Sequence, residues 1–187
     1  MSKLHSITTC DFIDFDKALN TGIKLMKNPK TELIGLYIIV SIYTGLRTSD
    51  VKTITYEQVR SRTINLTEQK TKKKRTIPVH DEMFKAVMNT TQKNQLGLIF
   101  ISQKNSVITT QQINRLLKKV FVSLIGTHCI STHSLRKTFG RRVYENNGRT
   151  ENALIYLSDM FNHSTVKETR KYLGISQEEL NEIYINL

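Results

Sequence analysis

The sequence predicts an α+β fold, mainly helical, with one small antiparallel sheet. Apolar residues recur at helical spacing over most of the 187 residues. The pattern changes to strand-like alternation only between Val59 and Val79. Pro29 and Pro78 are the only prolines, and no repeat, low-complexity tract or Pro/Gly-rich linker divides the chain, so residues 1–187 read as a single domain.

Asp14 or Asp16 supplies the cap of a first helix running to about Met26, since a short carboxylate satisfies the orphan N–H groups of a first turn. A second helix starts from Asn28 before Pro29, or from Thr31, and continues through Tyr43. It is apolar nearly all round and is therefore expected to be buried. Gly45 ends it, and a helical turn over Ser49 to Thr53 leaves Arg47 at a helix-to-helix junction close to backbone donors. Thr63 to Thr67 and Arg75 to Val79 read as strands around a Lys-rich connection. Helices follow over Asp81 to Asn89, Thr109 to Ile125, Thr132 to Asn146, Thr150 to Phe161, Thr165 to Leu173 and Gln177 to the end, the last capped by Ser176 and Glu179. Leu98 to Ile101 is either an extra short strand or an extended connector.

Lys and Arg number 28 against 16 Asp and Glu, a formal charge of +12 that points to a polyanionic partner. Nucleic acid fits better than membrane, because basic residues recur along the whole chain and no stretch has the apolar face of an interfacial helix. The longest apolar stretch, Leu33 to Tyr43, is interrupted by Gly35 and Ser41 and is too short to span a bilayer. The N-terminus lacks the apolar core of a secretion signal, so a cytoplasmic location is expected. Cys10 and Cys129, far apart and without CxxC spacing, suggest neither a disulfide scaffold nor a zinc site.

Three segments carry chemistry. Thr44-Gly45-Leu46-Arg47-Thr48-Ser49-Asp50 aims an arginine from a bend, with a carboxylate three residues on. Thr132-His133-Ser134-Leu135-Arg136 places an imidazole and a guanidinium on one helix face, where the first can move protons and the second can grip two phosphate oxygens. Asn162-His163-Ser164-Thr165 is followed, nine residues after His163, by Tyr172 in a helix that also carries Lys167, Arg170 and Lys171.

Together T-G-L-R-x-S-[DE], a K-T-rich hairpin ending in Ile77-Pro78-Val79, S-x-H-x-L-R and N-H-S-x(7)-Tyr, in that order, resemble the tyrosine recombinase or phage integrase family over nearly the whole chain. The resemblance implies the catalytic domain of that family, a DNA breaking-rejoining enzyme fold. It implies Arg47 and Arg136 as phosphate-clamping arginines, His133 as the proton-handling histidine, His163 as the second histidine, Tyr172 as nucleophile and Asp50 as the brace of the first arginine. The family's lysine lies eight residues before the proline, which is Lys70, with Lys72 as the alternative. Lys72, Lys73, Lys74, Arg75, Lys137 and Arg170 are expected DNA contacts. Two departures stand out. Asn162 replaces the usual glycine, a mild change because Asn tolerates left-handed backbone. About forty residues before Thr44 leave no room for the family's N-terminal core-binding domain.

The implied activity is site-specific DNA recombination, integration being one form, in which DNA is cleaved and rejoined through a 3′-phosphotyrosyl link. Neither metal nor ATP nor another cofactor is needed, as for the recombinases of mobile genetic elements. Implied partners are double-stranded DNA and further copies of the chain, a homotetramer on paired sites or a monomer without DNA, in a bacterial or phage-infected cell. The helix from about 177 to 187 would pack on its own domain or dock on a neighbouring subunit. The alternative is a catalytically silent DNA-binding accessory protein of the same fold.

Overall fold

The computed structural model describes residues 10–91, 95–102, 105–125, 129–175 and 184–186. Two helices open the chain, α1 (Phe15–Met26), capped by the Asp14 carboxylate on Lys17 N, and α2 (Glu32–Thr44), with Thr31 at its cap. They cross closely because Gly22 and Gly35 face each other: a Cβ on Gly35 would lie 2.6 Å from the Gly22 carbonyl oxygen. As its all-round apolarity predicts, α2 is buried along almost its whole length, and it forms the spine of the main core.

Gly45 ends α2 in left-handed backbone (φ 59°), and a Cβ there would collide with the Phe139 ring. The short α3 (Thr48–Val51) follows, and then α4 (Tyr56–Arg60), which the sequence reading left unassigned. A capping box between Thr55 and Gln58 starts α4. The antiparallel hairpin of β1 (Thr63–Thr67) and β2 (Lys74–Pro78) pairs Ile64 with Ile77 and Leu66 with Arg75, as the alternation predicts. Leu98 to Ile101 is a connector: Leu98 bridges Thr55 and Ile101 bridges Val107 as isolated pairs.

After α5 (Asp81–Met88) and α6 (Thr110–Ile125) come α7 (Thr132–Asn146), α8 (Glu151–Phe161) and α9 (Val166–Leu173), with Ser131, Thr150 and Thr165 as caps. The core has two parts. The larger gathers α1 to α6, β1 and the start of α7; a smaller cluster of Tyr144, Leu154, Leu157, Phe161 and Leu173 joins α7, α8 and α9. The motif residues lie where the two parts meet.

The cysteines that sequence distance separates are neighbours in space. Their sulfurs are 3.3 Å apart as thiols, and Ser131 donates to Cys10 Sγ at 3.2 Å. No helix among the described residues is long and apolar enough to cross a membrane. Of the terminal helix expected from Gln177, residues 184–186 are described, with Tyr184 and Ile185 helical; its Ser176–Glu179 box and the residues Leu180, Ile183 and Leu187 lie outside the described residues.

Candidate active site

Arg47 and Arg136 meet at one atom. Arg47, the residue preceding α3, donates to the Phe161 carbonyl at 3.0 Å; Arg136, from the second turn of α7, donates to the same oxygen at 3.1 Å. Phe161 is the last residue of α8, whose terminal carbonyls lack helical partners and carry partial negative charge, so cations gather there. Arg136 is 4% exposed, donates also to the Gly45 carbonyl, and stacks 4.2 Å over the Phe161 ring. Burial lowers its pKa to about 10, which leaves it charged at neutral pH. The turn at Gly45 and the end of α8 thus fix both guanidiniums within reach of one anion. Each has five N–H donors in a planar fork suited to phosphate.

Asn162 makes the reversal after α8 in left-handed backbone (φ 52°, ψ 48°), the geometry expected of it. His163 follows, its Nδ1 hydrogen-bonded to the buried Thr169 hydroxyl at 2.9 Å. Phe161, His163 and Tyr172 form an edge-to-face trio with centroids 5.3 to 5.5 Å apart. Burial pushes the His163 imidazole down to about 4, with Glu168 opposing and Arg136, Arg47 and Lys70 adding.

Tyr172 lies on α9 with its hydroxyl 3.5 Å from the His133 carbonyl, a long hydrogen bond. Burial raises its phenol to about 12, against the pull of Arg136 and Arg47. His133, exposed on the otherwise buried first turn of α7, has its pKa lowered by desolvation and then by Arg136, Lys137, Arg47 and Lys70. Lys70 is exposed on the hairpin connection, yet its charge is felt at both histidines. Lys72, Lys73 and Lys74 are exposed as well, and Lys72 occupies left-handed backbone (φ 59°).

Three expectations change. The carboxylate on Arg47 is Glu68, at 2.8 Å, whereas Asp50 accepts from the Gln69 N–H at 2.9 Å and from Ser49, so Asp50 pins the hairpin connection just after β1. Lys137 is turned inward: it is 8% exposed and donates to the Cys10 carbonyl at 2.6 Å. Arg75 is turned inward, onto Glu68 at 3.0 Å and the Met160 carbonyl at 2.7 Å. Arg170 is half-buried on α9.

Glu68 is the member of this cluster that the sequence does not single out. It is fully buried, and although burial raises its pKa, Thr71, Arg75 and Arg47 outweigh that and hold it below the ordinary carboxylate value. One signal was available: one residue beyond β1, Glu68 continues the alternation of Ile64 and Leu66.

Residues 17–179 match the model of the phage integrase family. The chain belongs to that family. Over 149 residues it is 30% identical to the probable integrase/recombinase YoeC of Bacillus subtilis (strain 168), covering 78% of this chain and 80% of that protein. The catalytic domain of bacteriophage HP1 integrase superposes with a TM-score of 0.57 at 25% identity, covering 87% of this chain and 86% of that domain. The site-specific recombinase XerH, bound to a palindromic difH substrate, superposes with a TM-score of 0.69 at 18% identity; 95% of this chain is covered, but only 53% of XerH. Both the resemblance read from motif order and the mainly helical fold with one small sheet therefore hold for this phage integrase family member.

Proposed function

We propose that this chain is a site-specific tyrosine recombinase acting on double-stranded DNA, with Tyr172 as nucleophile. The observation that carries this reading is the convergence of Arg47 and Arg136 on the Phe161 carbonyl, with Tyr172 and His163 packed on the Phe161 ring. Structural relatives captured with a difH substrate and with transposon circular-intermediate DNA support DNA as the partner. Homotetramers on paired sites and a cytoplasmic location belong to the same proposal.

A scissile phosphate would take its nonbridging oxygens to the two guanidiniums, which balance the charge of the pentacoordinate state. With Thr169 donating to His163 Nδ1, the Nε2–H becomes a further donor to that phosphate. Tyr172 Oη then forms a bond to phosphorus and gives its proton to His133, whose lowered pKa keeps it neutral and able to accept. The bond from phosphorus to the 5′ oxygen breaks, and Lys70 protonates the departing oxygen. A 3′-phosphotyrosyl link retains the energy of the broken bond, and a partner strand's 5′ hydroxyl reverses the step. The phenol raised to about 12 is protonated without a substrate, so cleavage depends on the phosphate and the proton acceptor being in place together.

The test is adduct formation from a pool of nicked duplexes with a randomised central tract, read as protein-DNA complexes that survive denaturation. Tyr172→Phe should abolish the adduct and leave duplex retention unchanged; an undiminished adduct would remove Tyr172 from the role. Retention of duplex by the wild-type chain with no adduct would favour the accessory DNA-binding protein instead. On a substrate with a 5′-thiol leaving group, which departs without a proton, Lys70→Ala should recover its lost rate and Lys72→Ala should have no such loss to recover.

A further inference from the structure

The site contains a buried anion that the proposed chemistry does not use. Glu68 Oε2 accepts from Arg47 Nη1 at 2.8 Å, Asn162 Nδ2 at 2.8 Å and Thr71 Oγ1 at 2.5 Å, while Oε1 accepts from Arg75 Nη1 at 3.0 Å. One side chain therefore ties together the junction before α3, the hairpin connection, β2 and the reversal between α8 and α9. A carboxylate without water persists as an anion only when donors and cations surround it, and here four do. Its backbone closes the loop carrying Lys70: Lys72 N donates to Glu68 O, and Glu68 N donates to Lys73 O, both at 2.9 Å.

We propose that Glu68 is a positioning residue that sets Arg47, and the loop bearing Lys70, at a fixed distance from each other. The role presupposes the reading of Arg47 as phosphate clamp and Lys70 as leaving-group acid. Arg47 has two anchors, the Glu68 carboxylate and the Phe161 carbonyl, and a guanidinium held at two points cannot swing about its long stem. Removing the carboxylate leaves only the carbonyl, which does not fix the plane of the fork. The clamp holds the nonbridging oxygens and the acid serves the departing 5′ oxygen of one phosphorus atom, so a small error in their separation costs rate with little effect on DNA affinity. Asn162 adds to this: the glycine usual at its position would make the same left-handed turn but could not donate to Glu68.

The experiment uses the full chain and the duplex giving most adduct in the pool above. Glu68→Gln keeps the shape and removes the charge; single-turnover adduct formation should fall about 10- to 100-fold, with duplex affinity changed less than about threefold. Glu68→Asp retains the anion and should lose less rate. In an Arg47→Ala background, Glu68→Gln should cost clearly less than in the wild-type chain, because one of the two groups through which it acts is gone. Should Glu68→Gln fail to fold, Glu68→Asp and Thr71→Val carry the same comparison. Losses that multiply in the double variant, or a fall in affinity as large as the fall in rate, would overturn the role. If Arg47→Ala cleaves as fast as the wild-type chain, the clamp fails and Glu68 with it. If Arg47→Ala is inactive while Glu68→Gln keeps full rate, only the role of Glu68 falls.

Discussion

His163 is held where protonation is unfavourable. Burial, reinforced by Arg136, Arg47 and Lys70, takes its imidazole down to about 4, whereas an unfolded chain would accept the proton near ~6.5. Between those values the unfolded state binds more protons, so the stability His163 contributes is complete above about 6.5 and is lost as pH falls towards 4. Replacing it by Gln, which takes no proton, should make Tm fall less between pH 7 and pH 5 than in the wild-type chain; equal falls would show that the imidazole is not the source. His133 shifts in the same direction, so part of the slope should survive. At this scale the sequence named the residues with distinctive chemistry, because arginine, histidine and tyrosine at fixed offsets already constrain what one helix can present. It could not name their partners. Glu68 stands in a tract of lysines, where a carboxylate reads as solvated charge, and only the fold brings it to Arg47. Asp50, nearer to Arg47 in sequence, is spent on the Gln69 backbone.

Helix α9, which carries Tyr172, is seated through a glycine. A Cβ on Gly140 of α7 would lie 2.6 Å from Leu173 Cδ2 and 3.0 Å from Phe161 Cζ. The Leu173 tip can move, but the Phe161 ring is held by Arg136 on its face and by His163 and Tyr172 at edge-to-face contacts. Gly140→Ala should therefore push α9 outward: overpacking costs about 1–3 kcal/mol, offset by about 1 kcal/mol of improved helix propensity. The urea midpoint should fall with an unchanged m value, and adduct yield should fall more than duplex affinity. A midpoint at or above that of the wild-type chain would mean that the space exists. Long elements were legible from the sequence because caps and periodicity agree on them; α7 spans Thr132–Asn146 as read, and Asp14 caps α1. The short α4 was not legible from periodicity, since five residues are under two turns, and its one signal was the Thr55–Gln58 box. Close helix approach at Gly22, Gly35 and Gly140 was equally hidden, because a glycine in a helical pattern does not say which neighbour needs the space.

The net charge of +12 points to a polyanion as partner, but it does not say which cations would face it. The fold divides them. Arg47, Arg75 and Arg136 point into the junction between the two parts of the core, where carbonyls and Glu68 hold them, and Lys137 is buried against Cys10. Lys70, Lys72 and Lys73 stay exposed on the hairpin connection, as does Lys74 at the start of β2. Under the proposed function this split separates an inward set held in rigid geometry, which includes the two clamping arginines, from an outward set that needs only proximity to phosphates, Lys70 alone among the exposed lysines being assigned a chemical step. The two sets should differ in salt dependence. Each phosphate neutralised contributes about 0.9 to the slope of log affinity against log salt. Replacing Lys72, Lys73 and Lys74 together by Ala should lower that slope by up to about 0.9 for each lysine, with the adduct formed at saturating duplex little changed. Lys137→Met keeps the buried stem and removes the charge; it should leave the slope as it is while lowering Tm, because the Cys10 carbonyl loses its donor. A slope reduced in Lys137→Met as in the triple variant would place Lys137 among the phosphate contacts, and the division between inward and outward cations would then not hold.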